Sequence, residues 1–166
     1  MLEIVRNKDA LSESAISRIY RHSNQLTGAE KYPQYSKELQ LLYAQEDFVQ
    51  YLRSVFFKEH GAVIVFWIEN GIYRSCLRLE PYQDGFLLTG LETDLEFRNC
   101  GYASALVSAV LMNQEILCGK PVYSHVAKNN HASMRVHRKV GFQLIADYAT
   151  FLDGTVSSSA NTLRYL

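Results

Sequence analysis

The chain has 166 residues, 48% of them hydrophobic and 20% charged, the size and balance of one folded domain and not of a disordered or fibrous protein. Lysine plus arginine equals aspartate plus glutamate at 17 each, so the overall field gives no reason to expect nucleic acid or an anionic membrane as a partner. The longest apolar run, residues 61–68, falls far short of the ~20 residues of a membrane-crossing helix, and Met1-Leu2-Glu3-Ile4-Val5-Arg6 lacks the basic-then-apolar order of a secretory signal; a cytoplasmic protein is expected.

Residues 2–6 read as a short first strand. Asn7 or Asp9 can then cap a helix with Leu11, Ala15, Ile16 and Ile19 on one buried stripe. Past Gly28 and Pro33, residues 36–58 carry Leu39, Leu42, Tyr43, Phe48, Leu52, Val55 and Phe56 at helical spacing, as one long helix or two short ones. Two β-branched and aromatic runs, 61–69 and 72–79, flank Asn70-Gly71, a pair that tolerates the positive φ of a two-residue hairpin turn. Pro81 and Asp84-Gly85 reverse the chain into a third strand of this meander, 86–95. Residues 101–117 read as an amphipathic helix stopped by Gly119, 121–126 as a strand, 130–140 as a second helix, 142–152 as a strand and 161–166 as a last one, with Ser157, Ser158 and Ser159 in a loop. The strand, helix, strand succession predicts a parallel crossover. The fold class is α/β (α+β), with a mixed, mostly antiparallel sheet of about six to seven strands and helices on both faces.

Cys76, Cys100 and Cys118 include no C-x-x-C pair, and the five histidines form no H-E-x-x-H. Neither a disulfide framework nor a metal centre is therefore expected. The informative stretch is Arg98-Asn99-Cys100-Gly101-Tyr102-Ala103, between a strand and a helix start. There the first N–H groups have no intrahelical acceptor and the helix dipole is positive, so a pyrophosphate can bind without a basic patch. Gly101 permits close approach, Ala103 leaves room, and Arg98 can add a charge-assisted contact. G-x-G-x-x-G and G-K-[ST] are both absent, which argues against a dinucleotide fold and a P-loop.

Arginine, two residues, glycine, one residue and alanine resemble the coenzyme-A pyrophosphate loop of the GNAT superfamily. The segment Asn130-His131-Ala132-Ser133 to Val136-His137-Arg138-Lys139-Val140-Gly141-Phe142 is similar to that family's second signature. The resemblance implies one GNAT-like domain over 1–166, with an N-terminal strand and acceptor-side helices in 1–60. The meander would occupy 61–95, the acyl-coenzyme-A core 96–142 and the C-terminal strands 143–166. It implies a sheet splayed between the fourth and fifth strands. It also implies N-acetyl transfer from acetyl-coenzyme A to a primary amine, with Asp94, Leu95, Glu96, Arg98, Asn99, Cys100, Gly101, Tyr102, Ala103 and Ser104 along the donor, joined by Asn130, Ser133 and His137. Acetyl-coenzyme A and an amine are the expected partners, as a monomer or homodimer.

Direct transfer needs a base for the amine and an acid for the leaving thiolate. Glu92 and Asp94 alternate along one strand face, opposite Leu91, Thr93 and Leu95. Glu92 lies farther from the phosphate loop and is the candidate base; a salt-bridged strand carboxylate is the competing reading. Many family members carry tyrosine as the acid where this chain has His137, an imidazole that can do the same work or pack beneath Phe142. Asn130 can be a helix cap alone. Cys100 beside an anion site has no neighbouring base in sequence, and His125 points at substrate or packs under a helix. A catalytically silent acyl-coenzyme-A sensor or interaction domain is the alternative function.

Overall fold

The computed structural model describes all residues from Met1 to Leu166. Its frame is the predicted hairpin. β2 (Val63–Glu69) and β3 (Ile72–Tyr82) pair antiparallel, and Asn70 and Gly71, with φ of 51° and 72°, supply the left-handed turn between them. β1 (Leu2–Val5) adds to the outside of β2, and β4 (Gly85–Thr93) continues the meander. β5 (Val122–Ala127), β6 (Gln143–Ala146) and β9 (Ala160–Tyr165) complete a seven-stranded sheet in the order β1-β2-β3-β4-β5-β9-β6. β7 (Ala149–Thr150) and β8 (Val156–Ser157) form a separate small ladder.

The β4–β5 pair is parallel, as a helical crossover requires, and spans three residue pairs, Phe86 with Val122 to Leu88 with Ser124. Beyond it the two strands diverge, each running on without its partner. A bulge accompanies the divergence: Arg78 faces Thr89 but Cys76 faces Glu92, so β4 carries one extra residue there. Gly90 takes φ of 56° within it, and the Tyr20 hydroxyl donates to the Gly90 carbonyl. A bulge bends the strand and swaps the faces of the residues after it. Glu92 is thereby turned to the face that bears Cys76.

Each sheet face has its own core. On one, Leu77, Leu79 and Leu88 meet Leu106, Val107 and Val110 of α4 (Tyr102–Leu111), with Ile116 and Leu117 of α5 (Gln114–Leu117). The partly buried Met134 and Val136 of α6 (His131–Lys139) close that side. On the other, Ile64, Phe66 and Cys76 meet Ile16 and Ile19 of α1 (Glu13–Ile19) and Leu52 of α3 (Lys37–Ser54). The alternation of β1, with Ile4 toward the first core and Val5 in the second, joins both.

Two expected elements differ. The helix expected over 101–117 breaks at Met112, because Asn113 leaves helical geometry to accept from the Ile116 N–H and cap α5. The strand expected over 142–152 stops at Ala146. Residues 36–58 resolve as one continuous α3 with a 3-10 turn after it. A helix with no counterpart in the sequence reading, α2 (Arg21–Lys31), runs through Gly28. That glycine is a contact point: a Cβ there would lie 2.3 Å from the Gln40 carbonyl oxygen, so its absence lets α2 and α3 touch. No helix is long and apolar enough to cross a membrane.

Candidate active site

The end of β4 and the starts of α4 and α6 enclose a cleft of about 390 Å³. Its floor is the turn before α4. Asn99 and Gly101 take φ of 62° and 86°, no side chain caps the helix, and the first bond returning to its backbone runs from the Ala105 N–H to the Gly101 carbonyl at 3.0 Å. Nothing lies within 4 Å of where a Gly101 Cβ would sit. The amides of this turn are thus unplugged by protein side chains, the geometry an anion needs.

Of the residues expected along the donor, Arg98, Asn99, Gly101, Tyr102, Ala103, Ser104, Asn130 and Ser133 line this cleft, and Glu92 joins them. Asn130 caps α6, its Oδ1 accepting from the Ser133 N–H at 3.0 Å, which anchors that wall. Arg98 does not reach toward the turn. Its guanidinium folds back, bonding Glu92 at 3.2 Å and the Thr93 carbonyl at 3.3 Å. Burial raises the Glu92 carboxyl above its ordinary range, and the charges of Arg98 and His22 draw it part of the way back. The Tyr102 hydroxyl donates to Glu69 at 2.5 Å.

Five expected positions fall elsewhere. Asp94 is 4% exposed, ion-paired with Arg18 and accepting from the Glu96 N–H at 3.0 Å; it fixes the turn after β4. Glu96 binds the same Arg18 at 3.0 Å, and the Leu95 side chain is exposed outside the cleft. Cys100 is exposed, its thiol directed to the Arg98 carbonyl at 3.5 Å. His137 departs most from the expected placement. It is 1% exposed, its Nδ1 bonds the Ser133 carbonyl at 2.8 Å, and its ring stands edge-on to Phe142 at 5.0 Å. Helical periodicity turns it to the core side of α6, so it packs beneath Phe142, and burial lowers its pKa. His125 likewise packs, between Tyr82 and Phe151 at 5.5 Å from each.

The cleft also takes in His22 of α2, with Phe97, Ala132 and Val136. No local motif marks His22; it arrives because Gly28 lets α2 lie close. A smaller cavity of about 240 Å³ shares Glu92 with the cleft and continues under α2, past Tyr20, Asn24, Phe48 and Arg78.

Comparison with known proteins bears on the fold. A family model described as FR47-like protein matches residues 71–151, just under half the chain. No curated protein matches in sequence. Among solved structures, the chain is similar to the PaiA N-acetyltransferase of Thermoplasma acidophilum in complex with coenzyme A, at 14% identity and TM-score 0.61 over 99% of this chain and 98% of that one. It is similar to an N-acetyltransferase of Staphylococcus aureus Mu50, at 13% and 0.64 over 98% and 100%. A third likeness is to the ribosomal-protein-S18-alanine N-acetyltransferase of Escherichia coli, at 16% and 0.58 over 99% and 92%. With its sheet opened after a short parallel β4–β5 pairing and an FR47-like segment across it, the chain shares the fold of these N-acetyltransferases.

Proposed function

We propose that the chain transfers an acetyl or related short acyl group from acyl-coenzyme A to a primary amine by direct attack within a ternary complex. The observation that carries this is the unplugged turn at the start of α4, opening onto the same cleft as the half-buried carboxylate of Glu92. The residues fit the donor: unclaimed amides and the α4 dipole for the diphosphate, Asn130 and Ser133 along the arm. The coenzyme-A complex of the Thermoplasma neighbour supports the same use of this fold.

Glu92 accepts the ammonium proton. A carboxyl held above its ordinary pKa is a better match to proton transfer near neutrality than an exposed one. Arg98 has two roles in this reading. It neutralises Glu92 before the donor arrives, and the diphosphate then competes for the guanidinium, freeing the carboxylate. With His137 in the core, the cleft side chain best suited to hand a proton to the departing sulfur is His22, since Tyr102 is committed to Glu69.

Calorimetry with acetyl-coenzyme A, followed by thiol release against a panel of amines, tests the reading; absence of binding at tens of micromolar protein defeats it. The burial of His137 favours one competing reading, a silent acyl-coenzyme-A sensor. Binding without turnover of any amine would select it.

A further inference from the structure

The cavity under α2 holds two hydrogen-bond donors that no protein group uses. Arg78 lies on the sheet face covered by α1 and α3, its guanidinium over the rings of Phe48 and Phe56 at 5.3 and 5.8 Å. It takes part in none of the ion pairs, and its Nε is buried without a partner. Asn24 on α2 is 6% exposed, and its Nδ2 is likewise buried and unpartnered. Both residues line the cavity that Glu92 closes. Two neighbouring hydroxyls are already engaged: Tyr20 donates to the Gly90 carbonyl, and Ser23 to the Tyr20 carbonyl at 3.0 Å.

Leaving a buried donor unmade costs about 1–3 kcal/mol, more when it is charged. An arginine lodged among aromatic rings is therefore to be explained by what it meets there. Glu80, two residues along β3, feels the Arg78 charge but lies outside ion-pair distance, and the Tyr51 hydroxyl stands between the two; neither Glu80 nor Tyr51 lines the cavity or meets the Arg78 Nε. The two ends differ in sign. Glu92 pairs with Cys76 on the neighbouring strand and Arg78 is two residues farther along, so the Glu92 and Arg78 backbones stand roughly 8 Å apart on one face.

Resting on the acyltransferase reading above, we propose that the acceptor is a small amino-carboxylate. Its amine meets Glu92, and its carboxylate is held by Arg78 and Asn24. A guanidinium binds a carboxylate through paired N–H groups, and an amide N–H adds a third bond. The cavity, at about 240 Å³, is below the ~300 Å³ where drug-sized pockets begin, so it suits a small metabolite and not a folded chain.

The test is a set of free amino acids, each paired with its primary amide and its decarboxylated amine. Two readouts are used: thiol release with acetyl-coenzyme A, and saturation-transfer NMR on the protein loaded with coenzyme A. The expected result is kcat/KM about tenfold or more higher for the acids than for their partners, the scale of one charged hydrogen bond. Arg78→Met should erase that preference with coenzyme-A affinity unchanged, and Asn24→Ala should reduce it. Equal handling of acids and amides overturns the inference, as does a preference that survives in Arg78→Met. Coenzyme-A binding with no response from any amine in either readout also overturns it. Failure to bind coenzyme A at all removes the acyltransferase reading, and this inference with it.

Discussion

The two halves of the proposed site are built in different ways. The donor half, from Arg98 to Ser104 with Asn130 and Ser133, offers mainly backbone: left-handed residues, a helix start and a side-chain cap. The acceptor half, with Glu92, Arg78, Asn24 and His22, offers side chains brought from β3, β4 and α2. Backbone donors survive most substitutions, because any residue but proline supplies an N–H. A side-chain constellation is lost one residue at a time. The fold itself is shared at 13–16% identity with the solved neighbours, and on the proposed reading the acceptor half is where a chain of this fold acquires its own substrate.

The harshest way to break the comparison is to fill the turn. Gly101→Glu places a carboxylate in the open space over the amides, at a backbone of φ 86°. It should abolish acetyl-coenzyme-A binding in calorimetry, a loss of about 100-fold or more, since a like charge replaces the anion and the left-handed backbone is strained. Gly101→Asn, which tolerates that φ, should keep most of the affinity; if it does not, the side chains and not the amides hold the donor. On the other half, Glu92→Gln should lower kcat by about 10²-fold, the low end of general-base contributions, with coenzyme-A affinity unchanged. Equal losses in both quantities would mean that the halves are not separable.

The same contrast governs what could be read from the sequence. The turn, the α6 cap and the hairpin at Asn70-Gly71 depend on neighbours in the chain, so their residue types announce them. Face assignments after Thr89 were not legible. Simple alternation takes no account of the bulge at Gly90, and it sets Asp94 beside Glu92 as a candidate at the site when Arg18, from α1, has claimed it. His137 illustrates a subtler limit. A motif position says where a residue falls along a helix but not how far the helix is rotated toward the core. His22 and Asn24 depend on α2, whose weakly apolar sequence hid the helix itself, and on the contact between Gly28 and Gln40 that seats it.

Arg98 lies where the halves meet, and removing it sharpens their boundary. Its charge lowers the Glu92 carboxyl, which burial has raised. A base must be deprotonated to act, so activity falls as pH drops through its pKa, and a higher pKa moves that acid limb upward. Arg98→Ala should therefore shift the acid limb of kcat/KM for acetyl-coenzyme A, which reports the enzyme before the donor binds, to higher pH. It should also weaken donor affinity by about tenfold, one charge-assisted contact. A limb that does not move would show that Arg98 acts on the donor alone.

The smallest effect is expected at His137. His137→Phe removes one hydrogen bond to the Ser133 carbonyl, worth about 1 kcal/mol, but also removes a buried Nε2 without a partner, a gain of comparable size. Turnover and stability at neutral pH should both stay close to the parent. The difference lies in acid. Burial depresses the folded pKa of His137 below its ordinary value. The unfolded chain therefore takes up a proton below about pH 6.5 that the folded chain refuses, and stability falls as pH decreases toward the folded pKa. His137→Phe should flatten that part of the stability curve in denaturant titrations, leaving the share of His125, whose pKa is depressed by burial as well. A large drop in kcat with the stability curve unaltered would instead return His137 to the reacting atoms, and would require α6 to turn when the donor binds.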